Sequence, residues 1–157
     1  MTEKEKMQKQ MLHVANNDRN LLRERTPAKD LCHQYNIEIG ENFFANHNTV
    51  IPDGAKVTFG GNVFIAPDCG FHTAGHPIDF ERRSRGLEYA YPITVGSNVW
   101  IGAGVPIMPG VTIGSNVVIG GGSVVVKGIP DNSVAVENPC RVIRAITEED
   151  QKTCWDR

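Results

Sequence analysis

From Ile93 onward the chain counts in sixes. Val95, Ile101, Ile107, Ile113, Ile119 and Val125 recur at every sixth position, and Ile93, Val99, Val105, Val111 and Val117 form a second row two residues earlier. Written as hexads the stretch reads "ITVGSN VWIGAG VPIMPG VTIGSN VVIGGG SVVVKG". Neither an amphipathic helix, with a period of about 3.6, nor a coiled coil, with about 3.5, yields this spacing. A period of six means that each hexad supplies a short strand and a tight turn. Three hexads then close one triangular coil, and each aliphatic stacks on its equivalent in the next coil. Glycine after the aliphatic suits a corner that needs a compact residue or positive φ, and the Asn of "GSN" suits the same corner. The predicted fold is therefore mainly β, a parallel β-helix of hexapeptide repeats; an ordinary buried sheet spaced this way by coincidence is the weaker account.

An earlier block repeats the signal. Ile39, Ala45 and Ile51 lie six apart, and Phe59, Ile65 and Phe71 resume after a two-residue slip near "PDGAK", which widens one corner. Between Phe71 and Val95 the spacing is 24 residues, again a multiple of six. The intervening "HTAGHPIDFERRSRGLEYAYP" is too polar and charged to fill core hexads. It reads as an excursion loop over about 72–92, anchored in coils at both ends. Residues 1–36 contain no hexads and have helical composition, so they form a short N-terminal helical segment beside a β-helix domain of residues 37–146. In the tail, residues 147–157, Thr147 followed by Glu148, Glu149 and Asp150 reads as an N-capped final turn covering the open end of the stack.

Charge and cysteine usage exclude several classes. A formal charge of −2 advertises no surface for nucleic acid or for an anionic membrane. No run approaches bilayer-spanning length, and the charged start lacks the apolar core of a secretory leader. Cys32, Cys69, Cys140 and Cys154 are scattered without a CxxC pair, which points to reduced thiols in a cytoplasmic setting.

Three histidines, His47, His72 and His76, lie within or near the predicted β-helix. A zinc site of the γ-type carbonic anhydrase kind would need three of them to converge from adjacent faces and subunits. His72 and His76 instead share one loop, and nothing in the spacing demands His47 as a third ligand, so no metal is expected. His76 sits between Gly75, which permits a sharp turn, and Pro77, which stiffens the exit. An imidazole held in that way suits general-base work near neutrality. An idle loop histidine is the alternative.

Together "ENFFANHNTV", "IAPDCGFHTAGHPID", "YPITVGSNVWIGAGVPIMPGVTIG" and "NPCRVIRAI" resemble the maltose and galactoside O-acetyltransferases of the hexapeptide-repeat acyltransferase family. The resemblance covers Ile37 to about Ile146, while "DRNLLRERTPAKDLCHQYN" is similar to the end of that family's helical domain. It implies a left-handed parallel β-helix, a homotrimer with active sites between subunits, acetyl-CoA as donor and a sugar hydroxyl as acceptor. By the same resemblance His76 is the catalytic base and Asn46 the side chain that positions the acceptor and stabilises the transition state. Asn46 could instead be a corner residue in an inter-coil hydrogen-bond ladder. Trp100 falls where the family lines its CoA groove, although an aromatic anchoring one subunit to another is the alternative. Ala103, Gly121, Val126, Lys127, Arg141 and Arg144 fall at CoA-contact positions, with Lys127 and Arg144 as cations for the nucleotide phosphates. Asn16, Phe44 and Asn46 fall at acceptor positions.

The chain also departs from the family pattern. Phe44 stands where galactoside enzymes have tyrosine, and Asn16 and Gly54 stand where they have acceptor-binding aspartates. Val126 replaces a threonine and Glu137 a glycine, the latter placing a negative side chain beside the expected CoA path. A further helix and the first β-helix coil that the family places after "YN" are missing between Asn36 and Ile37. These departures keep open a catalytically weakened trimeric β-helix with a structural or binding role.

Overall fold

The computed structural model describes residues 1–9, 11, 13–14 and 36–152. Asn16 and most of the expected helical segment lie outside the described residues. What is described is mainly β, with two short helices at Glu3–Gln8 and Phe80–Ser84. No described helix is long and apolar enough to cross a membrane.

Parallel strands stack on three faces of a β-helix. The first face holds Ile37–Ile39, Val57–Phe59, Ile93–Val95 and Thr112–Ile113. The second holds Phe44–Ala45, Val63–Ile65, Val99–Ile101, Val117–Ile119 and Ser133–Val136. The third holds Gly70–Phe71 and Pro106–Ile107, extended by single bridges from Val50 to Gly70 and from Ile107 to Val125. Val95 pairs with Ile113 and Val99 with Val117, so one coil takes three hexads. Ile39 pairs with Phe59 two residues beyond three hexads, where the sequence slips, and Ile119 pairs with Ala135 two residues short. The repeat thus runs on to Val136, further than the hexad count reached.

Both aliphatic rows point inward. Ile93, Val99, Val105, Ile107, Ile113, Val117 and Val125 are buried, at 0–1% exposure. Each such side chain contributes about 1.5–3 kcal/mol on burial, which makes this column the main source of stability. Nearer the start of the stack Phe43, Phe59 and Phe71 fill the axis, with ring centroids 4.9 Å apart in successive pairs. Ile39 and Ala45 carry the same register but are exposed, because no described coil precedes theirs.

The corners divide two tasks that the sequence pattern merged. Positive φ falls on Asn42, Asn62, Asn98, Asn116 and Asn132, whose side chains form ladders between coils. The glycine after the aliphatic answers instead to close approach: a Cβ on Gly102 would lie 2.8 Å from Gly121 Cα, and one on Gly60 equally close to Gly96 C. At the far end Arg141–Ala145 turns back antiparallel on Ser133–Val136 and closes the edge of the second face. A 3₁₀ turn at Glu148–Gln151 follows, with the Asp150 carboxylate accepting from Thr147 N at 2.9 Å.

The two kinds of corner glycine should respond differently to alanine. Gly102→Ala forces the coils apart and should destabilise by about 1–3 kcal/mol. Gly104→Ala, at φ 68° with open space around it, should lose only about 1 kcal/mol to backbone strain. Urea unfolding monitored by circular dichroism separates the two.

Candidate active site

Regular backbone pairing assigns the corners. Asn46, Ala66, Gly102 and Gly120 each donate their amide to the next coil, to Ile65, Ile101, Ile119 and Ala135 respectively. They open the corner between the second and third faces, so His47, Pro67, Ala103 and Gly121 are its successive next occupants, and Glu137 joins them by the register that pairs Ile119 with Ala135. Ala103 and Gly121 are exposed there and stacked, with Gly122 N donating to Ala103 O at 2.8 Å. Asn46 accepts at Oδ1 from the amide and Nδ1 of His47, at 2.8 and 2.7 Å. The Asn46 Nδ2 hydrogens are therefore unpaired among the described residues. Trp100 projects from the adjoining second face in register with Phe64, which is itself in register with Phe44. All three are exposed, Trp100 at 54%.

The excursion leaves from the next corner, between the third face at Phe71 and the first at Ile93. It is not an irregular loop. Ala74–Gly75 pairs antiparallel with Leu87–Ala90, and the backbone of His13–Val14 adds a third strand on the far side of Leu87–Ala90. Thr73 roots this hairpin: wholly buried, it donates from Oγ1 to Pro52 O at 2.6 Å, accepts from Ala55 N at 3.3 Å, and its carbonyl accepts from Tyr91 N at 2.8 Å. Gly75 lies close under Tyr89, where a Cβ would come 2.6 Å from the hydroxyl and displace the ring.

His76 is held from the hairpin's own backbone. Its Nδ1 donates to Leu87 O at 2.9 Å, which assigns the ring proton to Nδ1 and leaves Nε2 with its lone pair. Nε2 lies 3.6 Å from Glu88 Oε1, beyond hydrogen-bond distance. Beyond it, Arg83 Nη1 donates to Pro77 O and Ile78 O at 3.0 and 2.7 Å, bracing the turn that follows His76. Asp79 caps the Phe80–Ser84 helix by accepting from Arg82 N. Sequence reasoning missed Thr73, Arg83, Leu87 and Glu88. The apolar and aromatic residues of "LEYAY" were the only signal of a strand inside the excursion.

His72 lies apart from this machinery, with its ring over Gly70 on the third face and its amide bonded to Ile107 O. Among the described residues no three His, Cys, Asp or Glu side chains group as a metal site. Cys69 and Cys140 are buried free thiols, and burial pushes both up from their ordinary range.

The remaining candidates spread over two more places. Val126 and Lys127 lie on the corner from which the excursion leaves, between Val125 on the third face and Ile129 on the first. Lys127 is exposed and forms no ion pair among the described residues. Arg141 and Arg144 lie on the final strand and are both engaged. Arg141 Nη2 meets Glu137 Oε2 at 2.6 Å, and Arg144 makes a two-pronged pair with Asp150 at 2.8 and 2.7 Å. That pair raises the Arg144 guanidinium further and, with the Thr147 amide, lowers the Asp150 carboxyl to about 2. Thus the chain brings Asn46, Ala103 and Gly121 to one corner and the His76 hairpin and Lys127 to another, with Asn16 outside the described residues.

Comparison with known proteins points one way. Residues 92–127 match the family model for the bacterial transferase hexapeptide (six repeats), and residues 6–48 the maltose acetyltransferase hexapeptide capping motif. A putative acetyltransferase of Saccharomyces cerevisiae is 67% identical over 118 residues, 75% of this chain and 60% of that protein. The galactoside O-acetyltransferase of Escherichia coli is 55% identical over 116 residues, 74% of this chain and 57% of that protein. The chain thus spans about three fifths of the length of these two relatives. A putative acetyltransferase of Staphylococcus aureus is 41% identical over 187 residues, 95% of this chain and 94% of that protein. An alignment of 187 positions exceeds the 157 residues of this chain, so that relative carries residues without a counterpart here. Among solved structures, a maltose O-acetyltransferase from Clostridium difficile 630 has a TM-score of 0.88 at 44% identity, covering 94% of this chain and 99% of that one. A galactoside acetyltransferase in complex with coenzyme A has a TM-score of 0.89 at 38% identity, covering 96% and 94%.

Two outcomes follow from this geometry. Thr73→Val keeps the shape but strips Pro52 O and Ala55 N of their partner, so thermal or urea unfolding should show a loss of about 1–3 kcal/mol. Asp150 has a depressed pKa in the folded chain, so its contribution is present above its ordinary value of 3.8 and is lost as pH falls towards 2. The Thr147 amide resonance should shift through that window, and Asp150→Asn should abolish the shift.

Proposed function

This chain belongs to the hexapeptide-repeat transferases, in the group of the maltose and galactoside O-acetyltransferases, and on that premise we propose that it transfers an acetyl group from acetyl-CoA to a hydroxyl of a sugar. The observation that carries this reading is the set tautomer of His76, whose Nδ1–H is tied to Leu87 O at 2.9 Å. Nε2 is the base. It takes the acceptor's hydroxyl proton as the oxygen bonds to the thioester carbonyl carbon, and after the carbon–sulfur bond breaks the proton passes to the departing sulfur. No acyl-enzyme is needed. Asn46, with Oδ1 engaged by His47, has Nδ2 hydrogens available to the acceptor or to the developing oxyanion.

The donor would lie along the exposed Trp100 face and the open Ala103 and Gly121 corner, its nucleotide end at Lys127 and Arg141 near Val126, and at Arg144 only where a phosphate displaces Asp150. In one chain His76 and Asn46 occupy different corners, so a second copy must bring them together. The exposed column of Phe44, Phe64 and Trp100 supports a homotrimer with its active sites between subunits. In this reading residues 37–146 are the catalytic domain, a left-handed β-helix. The setting is cytoplasmic, in keeping with the free thiols. Phe44 and the departures at Asn16 and Gly54 favour a maltose- or glucose-like acceptor over a galactoside.

A second reading, a β-helix with a binding or structural role and little catalysis, is favoured by one observation: Glu137 already neutralises Arg141. Acceptor-dependent thiol release from acetyl-CoA across a panel of sugars separates the two. We expect turnover with at least one sugar, and His76→Ala should lower kcat by about 10²–10⁴. Retention of full turnover by that variant would remove His76 as the base. Trimer assembly without saturable CoA binding would favour the second reading.

A further inference from the structure

We infer that Glu137 sets how tightly the nucleotide end of the donor is held, by occupying Arg141 until a phosphate displaces it; this rests on the acetyl-CoA reading above. The first ground is backbone conformation. Glu137 has φ 83°, and every other non-glycine residue with positive φ among the described residues is Asn or Asp. Those short side chains tolerate the left-handed region and bond locally, whereas a glutamate gains no such compensation. Glycine or asparagine would serve the turn better, so the reason for glutamate lies in its side chain.

That side chain ends on Arg141. The carboxylate oxygen is 2.6 Å from Nη2, with the two side chains 52% and 69% exposed. A single contact between exposed groups is weak and open to exchange, and a phosphate, with more charge and more acceptor oxygens, competes well for a guanidinium. Arg144 differs. Both its prongs are taken by Asp150, whose carboxylate also receives the Thr147 amide, so a phosphate would have to break two charged contacts to reach Arg144. Arg141 is the exchangeable cation of the strand and Arg144 the structural one. Glu137 also follows Gly121 on the corner between the second and third faces, which puts its charge at the far end of the open strip formed by Ala103 and Gly121. A phosphate arriving there meets a carboxylate before it meets Arg141.

The test is calorimetric titration of CoA, and of pantetheine as the phosphate-free probe, into wild type, Glu137→Gln, Glu137→Gly, Arg141→Gln and the Glu137→Gln/Arg141→Gln double variant. Both Glu137 variants should bind CoA about fivefold more tightly than wild type, with pantetheine unchanged. The gain should vanish where Arg141 is absent. Equal CoA affinity in wild type and Glu137→Gln, or a gain that persists without Arg141, would overturn the inference and leave the acetyl-CoA reading standing. Failure of all five proteins to bind CoA would overturn both.

Discussion

Successive coils must approach one another closely at every corner, and the rest of the molecule follows from that spacing. Parallel strands a hydrogen bond apart bring Gly102 against Gly121 and Gly60 against Gly96, and there is no room for a Cβ at either contact. The same spacing stacks Val99 on Val117 and Val95 on Ile113, so aliphatic contact and backbone pairing reinforce each other. Such a column satisfies its own backbone and buries its own core. It can therefore tolerate a long insertion between two coils without losing register.

The excursion exploits that tolerance. Phe59 and Val95 pair directly although the hairpin lies between them in sequence, and buried Thr73 ties its root to Pro52 and Tyr91. A reactive imidazole on a free loop would sample many orientations. Here strand pairing and the Arg83 brace hold the backbone on either side of His76, and the Leu87 carbonyl accepts from its Nδ1. Orientation of this kind is what the general-base role proposed for His76 would require.

Charge at the last coil follows a different logic. Two arginines on one short strand each meet a carboxylate of the same chain, but in unequal ways. Asp150 closes a two-pronged pair and caps a turn, while Glu137 makes one exposed contact from a backbone conformation suited to glycine. Residues that look equivalent by position in a motif are thereby separated into a structural and an exchangeable group.

The hexad period alone was enough to determine the stacked β architecture, both inward rows and the place where the chain leaves them, because inside the stack, with a coil on either side, spacing sets which side chains are buried. The local frame of Gly75, His76 and Pro77 was legible too, and the resemblance singled out this histidine from its neighbours. What tertiary structure decided was everything set by contacts between distant segments. Gly75 proved to lie against the Tyr89 ring, Asn more often than Gly carried positive φ among the described residues, and the ring proton of His76 was assigned by a carbonyl eleven residues away. The occupancy of Arg141 and Arg144 was equally hidden. Ion pairs depend on where side chains end in space, and a one-dimensional pattern records only where they begin.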